Sequence, residues 1–375
     1  MPQRHNQQLN REMEYPYDAP PPAKQVAYIF DINKCIECQT CTIACKTCWT
    51  SGKGEESIFW NNVETKPYGG YPTAWDMKLL ERRDPAKWEG QVLKTNTIFE
   101  GNSPLDPPDG HFPDTMDYSA LNLGEDDASK SVGQGEHFEG AHPMWMFYLA
   151  RICNHCDNPA CLAACPRKAI YKREQDGIVL IDQERCRGYQ ECVKSCPYKK
   201  TFFNMISRTS EKCISCFPRT EQGKVPLCVE SCIGKIRIYG YLTTQGEPRE
   251  DNPLDYIVKI RKLALPLYPQ FGTGPNVYYI PPVHVPNEFL EQLFGPNVEA
   301  SKTLYRQLKD DKKLLGALLL FGSTNRIIEK FKVADDEVIG WDGKGNEISR
   351  VPFTEPHYVR DYHDKRYDVY RHNTT

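Results

Sequence analysis

The chain has 375 residues, with 47 Lys and Arg against 50 Asp and Glu and a formal net charge of −3. That balance offers no global basic surface for a phosphate backbone, so nucleic-acid binding is not expected. Its 16 cysteines would suggest a disulfide scaffold in a small secreted domain, but a chain of this length lies outside that class.

In chain order, residues 1–25 are polar and Pro-rich (Tyr15-Pro16-Tyr17, Pro20-Pro21-Pro22). They are expected to form an extended arm lying on another surface, or a disordered tail. The first eight residues contain no apolar h-region and no twin arginine, and Arg82-Arg83 lies too far inside to act as an export signal. The expectation is therefore a chain that stays in the cytoplasm or is exported as cargo on a partner. Residues 26–31 read as a strand. An insertion at 47–147 opens with Trp49 and the aromatic segment 59–64, then turns Gly-, Pro- and Asp-rich around 101–142. With too little apolar content for its own core, it is predicted to be loop packed on the body or on a partner. Residues 177–182 read as a strand, and 288–294 and 300–321 as helices. The longest apolar stretch, 314–321, is far short of the run of about 20 residues that a membrane span requires. It reads as a buried or interface helix. Residues 334–375 read as a charged, Tyr-rich tail.

Fifteen of the cysteines fall into four runs: Cys35-x2-Cys38-x2-Cys41-x3-Cys45, Cys153-x2-Cys156-x4-Cys161-x3-Cys165-Pro166, Cys186-x2-Tyr189-x2-Cys192-x3-Cys196-Pro197, and Cys213-x2-Cys216-x11-Cys228-x3-Cys232. Three closely spaced cysteines wrap one cubane and a fourth, often followed by proline, crosses to the neighbouring one, as in two-cluster ferredoxins. Taken alone, Cys213, Cys216, Cys228 and Cys232 could hold a structural zinc; beside three further runs, the iron-sulfur reading is preferred. Cys48 is left over, and a lone extra cysteine is more often a small buried apolar group than a ligand.

The second and third runs are separated by the span of a self-contained two-cluster unit and are expected to pair. Cys153, Cys156, Cys161 and Cys196 then hold one [4Fe-4S] centre, while Cys165, Cys186 and Cys192 hold another that lacks a ligand at Tyr189. A phenol is a poor substitute for thiolate on a soft site, so a [3Fe-4S] centre is preferred over a Tyr-ligated fourth iron. The first and fourth runs pair across the insertion. Cys35, Cys38, Cys41 and Cys232 form one [4Fe-4S] set, and Cys45, Cys213, Cys216 and Cys228 the other. The total is three [4Fe-4S] clusters and one [3Fe-4S] cluster.

These runs, the non-cysteine residue at Tyr189, the segment 60–72 (WNNVETKPYGGYP) and the segment 151–156 (RICNHC) resemble the iron-sulfur β subunits of respiratory nitrate reductases and nitrite oxidoreductases, within the broad molybdenum family of dimethyl sulfoxide reductase. The resemblance covers residues 26 to about 333. Nitrate reductases usually show Trp where Tyr189 stands, so the tyrosine leans towards the nitrite oxidoreductases. Some of those have Asp in place of Cys45, which this chain keeps. Related β subunits of ethylbenzene and dimethyl sulfide dehydrogenases and of selenate, chlorate and perchlorate reductases are the alternative. Those of formate dehydrogenases, hydrogenases and polysulfide or dimethyl sulfoxide reductases typically present cysteine at the tyrosine position. A metal-stabilised scaffold with no redox role is the remaining alternative.

The resemblance implies an electron-transfer subunit without a catalytic site of its own. It would work between an α subunit carrying molybdenum bis(pterin guanine dinucleotide) and a haem b γ subunit or other carrier. The complex would be peripheral to a membrane, on the cytoplasmic face or, if exported with α, in the periplasm or another lumen. By the same resemblance, the Cys35 set faces α and the three-iron set faces the haem. The implied fold is α+β, with two pseudo-symmetric ferredoxin-like lobes: an outer one from 26–46 and 205–240, and an inner one from 148–204. A loop-rich insertion at 47–147, a helical region at 241–333 and a tail at 334–375 complete it. Arg151, Arg167, Lys168, Arg187, Lys194, Lys199 and Lys200 crowd the inner pair of centres. Of these, Arg151, Arg187 and Lys199, together with His155 as a hydrogen-bond donor, are the candidates for tuning a cluster. Because metal binding and folding are coupled in such lobes, apo protein is expected to be poorly folded.

Overall fold

The computed structural model describes residues 2–17, 20–67, 75–81, 85–100, 145–354, 359–366 and 368–374. The Gly-, Pro- and Asp-rich part of the insertion at 101–142, residues 68–72 of the segment 60–72 and Arg82-Arg83 lie outside these residues.

A four-stranded sheet organises the molecule, in the order Arg237–Leu242, Gln25–Asp31, Val277–Ile280, Leu265–Pro266. Gln25–Asp31 runs antiparallel to Arg237–Leu242, with Tyr28 opposite Tyr239, and parallel to Val277–Ile280, with Tyr28 opposite Val277. Every residue of Gln25–Asp31 is buried, and the alternation of strand side chains explains why. Val26, Tyr28 and Phe30 enter one core, which also holds Cys41 and Cys228, while Ala27 and Ile29 enter a second. That second core is closed by Leu314, Ala317, Leu318 and Phe321 of the helix Lys312–Leu319 and its continuation. The apolar stretch 314–321 is thus buried under the sheet. Among the described residues, no helix is long and apolar enough to cross a membrane.

Three sequence expectations are corrected. The N-terminal segment is a β-hairpin, Gln3–Asn6 with Arg11–Glu14, and not an extended arm. Leu9, Met13 and Tyr15 are buried, and Asn6 Nδ2 donates to the Gly272 carbonyl at 3.0 Å, so three apolar side chains anchor a strongly polar segment to its own chain. Residues 334–375 are not a tail. Lys330–Val333, Glu337–Trp341 and Glu347–Pro352 form an antiparallel sheet, and Val359–Asp364 pairs with Val369–Thr374. The single helical stretch at 300–321 is two helices, Val298–Arg306 and Lys312–Leu319. The second starts afresh where the Asp311 carboxylate accepts from the Leu314 N–H at 2.9 Å, an N-cap that favours a new start.

The insertion is also more than loop. Asn62–Lys66 pairs with Phe147–Arg151, and the helix Trp75–Glu81 packs Trp75 and Leu79 into the main core. Four buried charges lock it there. Arg151 Nε meets Glu64 Oε2 at 2.7 Å, Lys66 Nζ meets Glu64 Oε1 at 3.1 Å and Asp76 Oδ2 at 2.5 Å, and Tyr268 donates to Asp76 at 2.7 Å. Two cations balance two carboxylates, which makes their burial tolerable.

Candidate metal centres

Each cysteine run bends the same way. The residue before its second ligand position has a left-handed backbone: Glu37 (φ 53), His155 (φ 44), Gly188 (φ 69) and Ser215 (φ 55). Side chains rarely adopt this conformation; here it curls the loop so that cysteines on both sides face one point. At Gly188 glycine is needed twice over, because a Cβ would also lie 2.5 Å from the Arg208 carbonyl oxygen. Three residues beyond Cys165, Cys196 and Cys232 the backbone turns left-handed again, at Lys168, Lys199 and Lys235 (φ 49, 50 and 49). After the first two of these turns a backbone N–H reaches the sulfur, Ala169 to Cys165 Sγ at 3.3 Å and Lys200 to Cys196 Sγ at 3.5 Å.

Three cavities result. One is lined by Cys35, Cys38, Cys41 and Cys232, one by Cys45, Cys213, Cys216 and Cys228, and one by Cys153, Cys156, Cys161 and Cys196. Cys165, Cys186 and Cys192 come together as a fourth group, in which burial first, and then the neighbouring thiols Cys165 and Cys186, push the Cys192 thiol up to about 12. Cys232 and Cys213 line different cavities. Among the described residues, no His, Cys, Asp and Glu group is placed to hold a single metal ion. The separation of Cys232 from Cys213, Cys216 and Cys228 disfavours the zinc alternative.

The x3 spacing has a mechanical reason. Residues four apart on a helix lie on one face a turn apart, so Cys41 and Cys45 on the helix Thr40–Trp49 line two adjacent cavities. That helix packs on Leu227–Glu230, which carries Cys228 just before Cys232. Ala160–Ala163, with Cys161, packs in the same way on Glu191–Ser195, with Cys192. Cys45, Cys153 and Cys213 share one buried cluster with Trp60 and Ile58, and Cys161 and Cys192 share another. The groups therefore lie in sequence: the Cys35 set, the Cys45 set, the Cys153 set, then Cys165, Cys186 and Cys192.

The cavities fit an anionic sulfur-rich group. Burial, with Cys216 adding, pushes the Cys45 thiol up to about 12, so the thiolate form needs a cation at its sulfur. Around each cavity are buried N–H donors without a protein partner: Arg237 Nε and Nη1 at the first, Trp60 Nε1 and Asn61 Nδ2 at the second, His155 Nε2 at the third. Trp49 Nε1 already donates to Cys216 Sγ at 3.2 Å. His155 Nδ1 accepts from the Val179 N–H at 3.1 Å, which leaves its proton on Nε2. Burial, then Lys212 and Lys172, hold its pKa well below the usual imidazole range. His155 is thus a buried neutral donor.

The other candidates are placed differently. Arg151 is committed to Glu64 and to the Tyr198 carbonyl at 2.8 Å. Lys199 is buried and donates to the Lys194 carbonyl. Arg187 is exposed and binds the carbonyl of Glu184. Arg167 and Lys168 are exposed and Lys194 is half-buried. Lys200 lines the third cavity, donates to Asn62 Oδ1 and is pushed down to about 7 by burial and then Arg151. Tyr189 occupies the backbone position that Cys38, Cys156 and Cys216 fill in the other runs, with its side chain 59% exposed. Cys48 is exposed, not the buried apolar group expected. Arg237, Trp49, Trp60 and Asn61 were not singled out as ligand neighbours from sequence. Only the proximity of Trp49 and Trp60 to the first run could have hinted at them.

A 4Fe-4S dicluster domain family matches residues 144–242, and the chain carries 4Fe-4S clusters. The selenate reductase β subunit of Thauera selenatis is 43% identical over 340 residues, covering 81% of this chain and 98% of its own. The chlorate reductase β subunit of Ideonella dechloratans is 44% identical over 335 residues, with 81% and 98% covered. A respiratory nitrate reductase β subunit of Haloferax mediterranei is 41% identical, with 79% and 89% covered. The expected preference for the nitrate and nitrite enzymes over the selenate and chlorate reductases therefore does not hold as a distinction. Likeness along nearly the whole length of two relatives settles membership at a broader level: the chain belongs to the iron-sulfur β subunits of the dimethyl sulfoxide reductase family of molybdenum enzymes.

Proposed function

We propose that the protein is the electron-transfer subunit of a hetero-oligomeric molybdenum enzyme. It relays electrons between an α subunit carrying molybdenum bis(pterin guanine dinucleotide) and a haem b γ subunit or another carrier. The observation that carries this is the uninterrupted succession of four cysteine groups, each sharing buried surface with the next. Bound iron-sulfur clusters supply one-electron transfer. The residues of this chain fix their positions, exclude water with Trp60, Ile58 and Ile152, and present N–H donors to the sulfurs.

In this reading the Cys35, Cys45 and Cys153 sets each hold a [4Fe-4S] cluster, and Cys165, Cys186 and Cys192 hold a [3Fe-4S] cluster beside Tyr189. The two helix pairs bearing these cysteines support two ferredoxin-like lobes, 26–46 with 205–240 and 148–204. The reductases of selenate, chlorate and nitrate have β subunits about equally similar to this chain, so substrate choice falls to the α subunit. The test is purification from the native source. Co-purification with a molybdenum subunit, and iron content matching three cubanes and one three-iron centre, are expected. A monomer active towards a substrate, or four complete cubanes, would contradict the reading.

A further inference from the structure

Arg237, the first residue of the strand Arg237–Leu242, is 1% exposed, and its guanidinium lines the cavity of Cys35, Cys38, Cys41 and Cys232. One nitrogen donates to Cys41 Sγ at 2.9 Å. The guanidinium carbon lies 4.4 Å from the centre of the Phe30 ring, which fixes its plane. Nε and Nη1 are buried and have no protein partner, and among the described residues no carboxylate pairs with the group. The contrast with the other buried arginine is sharp, since Arg151 is matched to Glu64. A guanidinium cannot shed its proton, and burying an unpaired charge is costly. Its counter-charge has to come from the thiolates and the group they hold.

The unpartnered donors at the second and third cavities are an indole, an amide and a neutral imidazole. Among the described residues, only the first cavity has a permanent cation with free donors.

We infer that Arg237 is the charge-compensating residue of the Cys35, Cys38, Cys41 and Cys232 centre and raises its reduction potential. This rests on the electron-transfer reading above. One-electron reduction by the neighbouring carrier adds one negative charge beside the guanidinium and breaks no bond. A fixed positive charge, one N–H already donated to Cys41 Sγ and two further buried N–H groups without a protein partner stabilise that reduced state. Cys38 is exposed at this end of the succession, so Arg237 lies at a terminal centre and biases it towards accepting electrons.

The test is an EPR-monitored redox titration of the holo-complex with Arg237→Gln and Arg237→Lys. Arg237→Gln is expected to shift the reduction equilibrium of one [4Fe-4S] centre about tenfold towards the oxidised form, which is about 59 mV lower for one electron. Arg237→Lys keeps the charge and is expected to shift it less. Cys38→Ser assigns the centre, since it should alter the signal of the same reduction step. Wild-type complex labelled with 15N in its arginine guanidinium groups should also show a 15N coupling on that centre by ENDOR, which keeps the proposal testable if Arg237→Gln does not assemble. An unchanged titration in assembled Arg237→Gln, an equal shift in Arg237→Lys, or the absence of 15N coupling would overturn it. Failure of the electron-transfer reading would show separately, as wild-type complex lacking these centres.

Discussion

Single residues divide into those whose role is local and those whose role depends on remote strands. Cysteine spacing is local: the left-handed residue before each second ligand and the one-turn step between third and fourth cysteines are built within a few positions, so sequence shows them. Arg237 reaches Cys41 across 196 positions, through a pairing that no short pattern announces. Tyr189 shows how far the local reading goes. Its place in the run was legible, while its solvent-exposed ring was not. Tyr189→Cys should admit a fourth iron to the Cys165, Cys186 and Cys192 centre, because thiolate completes the set that a cubane prefers. The oxidised three-iron EPR signal would then be lost; its persistence unchanged in the mutant would show that Tyr189 does not hold a vacant ligand position. Glu64 tests the buried charges. Glu64→Gln leaves Arg151 and Lys66 under-compensated and should cost about 3–5 kcal/mol, read as a lower thermal midpoint of the complex. Burial raises the Glu64 pKa, but Arg151 and Lys66 outweigh it and hold the group below its ordinary 4.5. Its stabilisation is therefore full above pH 4.5 and lost as pH falls through the depressed value. The gap between wild type and variant should close in that acid window.

At the scale of elements, the strand Gln25–Asp31 was legible because a continuous apolar run covered on both faces has few alternatives. The terminal hairpins were not, because short strands in polar, charged sequence carry weak alternation and gain stability from what they touch. The helix Trp75–Glu81 was hidden in the same way, by an insertion whose average composition is that of a loop. The N-terminal hairpin gives the clearest test. Leu9 is fully buried in the main core, so Leu9→Ala should cost about 2–5 kcal/mol. A loose arm would make the substitution silent in thermal unfolding.

Among the described residues, one sheet separates a core that includes Cys41 and Cys228 from a core closed by the helix Lys312–Leu319. The chain's two ends of cysteine-bearing sequence meet because Gln25–Asp31 and Arg237–Leu242 are neighbours in that sheet. This explains how the first and fourth runs share cavities across an insertion of such length. Pairing of runs could be argued from ferredoxin spacing, but their order in space depends on helix contacts that only the folded chain supplies. The succession of four adjacent centres is the central claim, and a full reductive EPR titration of the purified complex tests it most directly. A three-iron signal should be present in the oxidised state, and the fully reduced spectrum should be broadened by magnetic coupling between neighbouring clusters. A spectrum of magnetically isolated centres, with no three-iron signal at any potential, would contradict it.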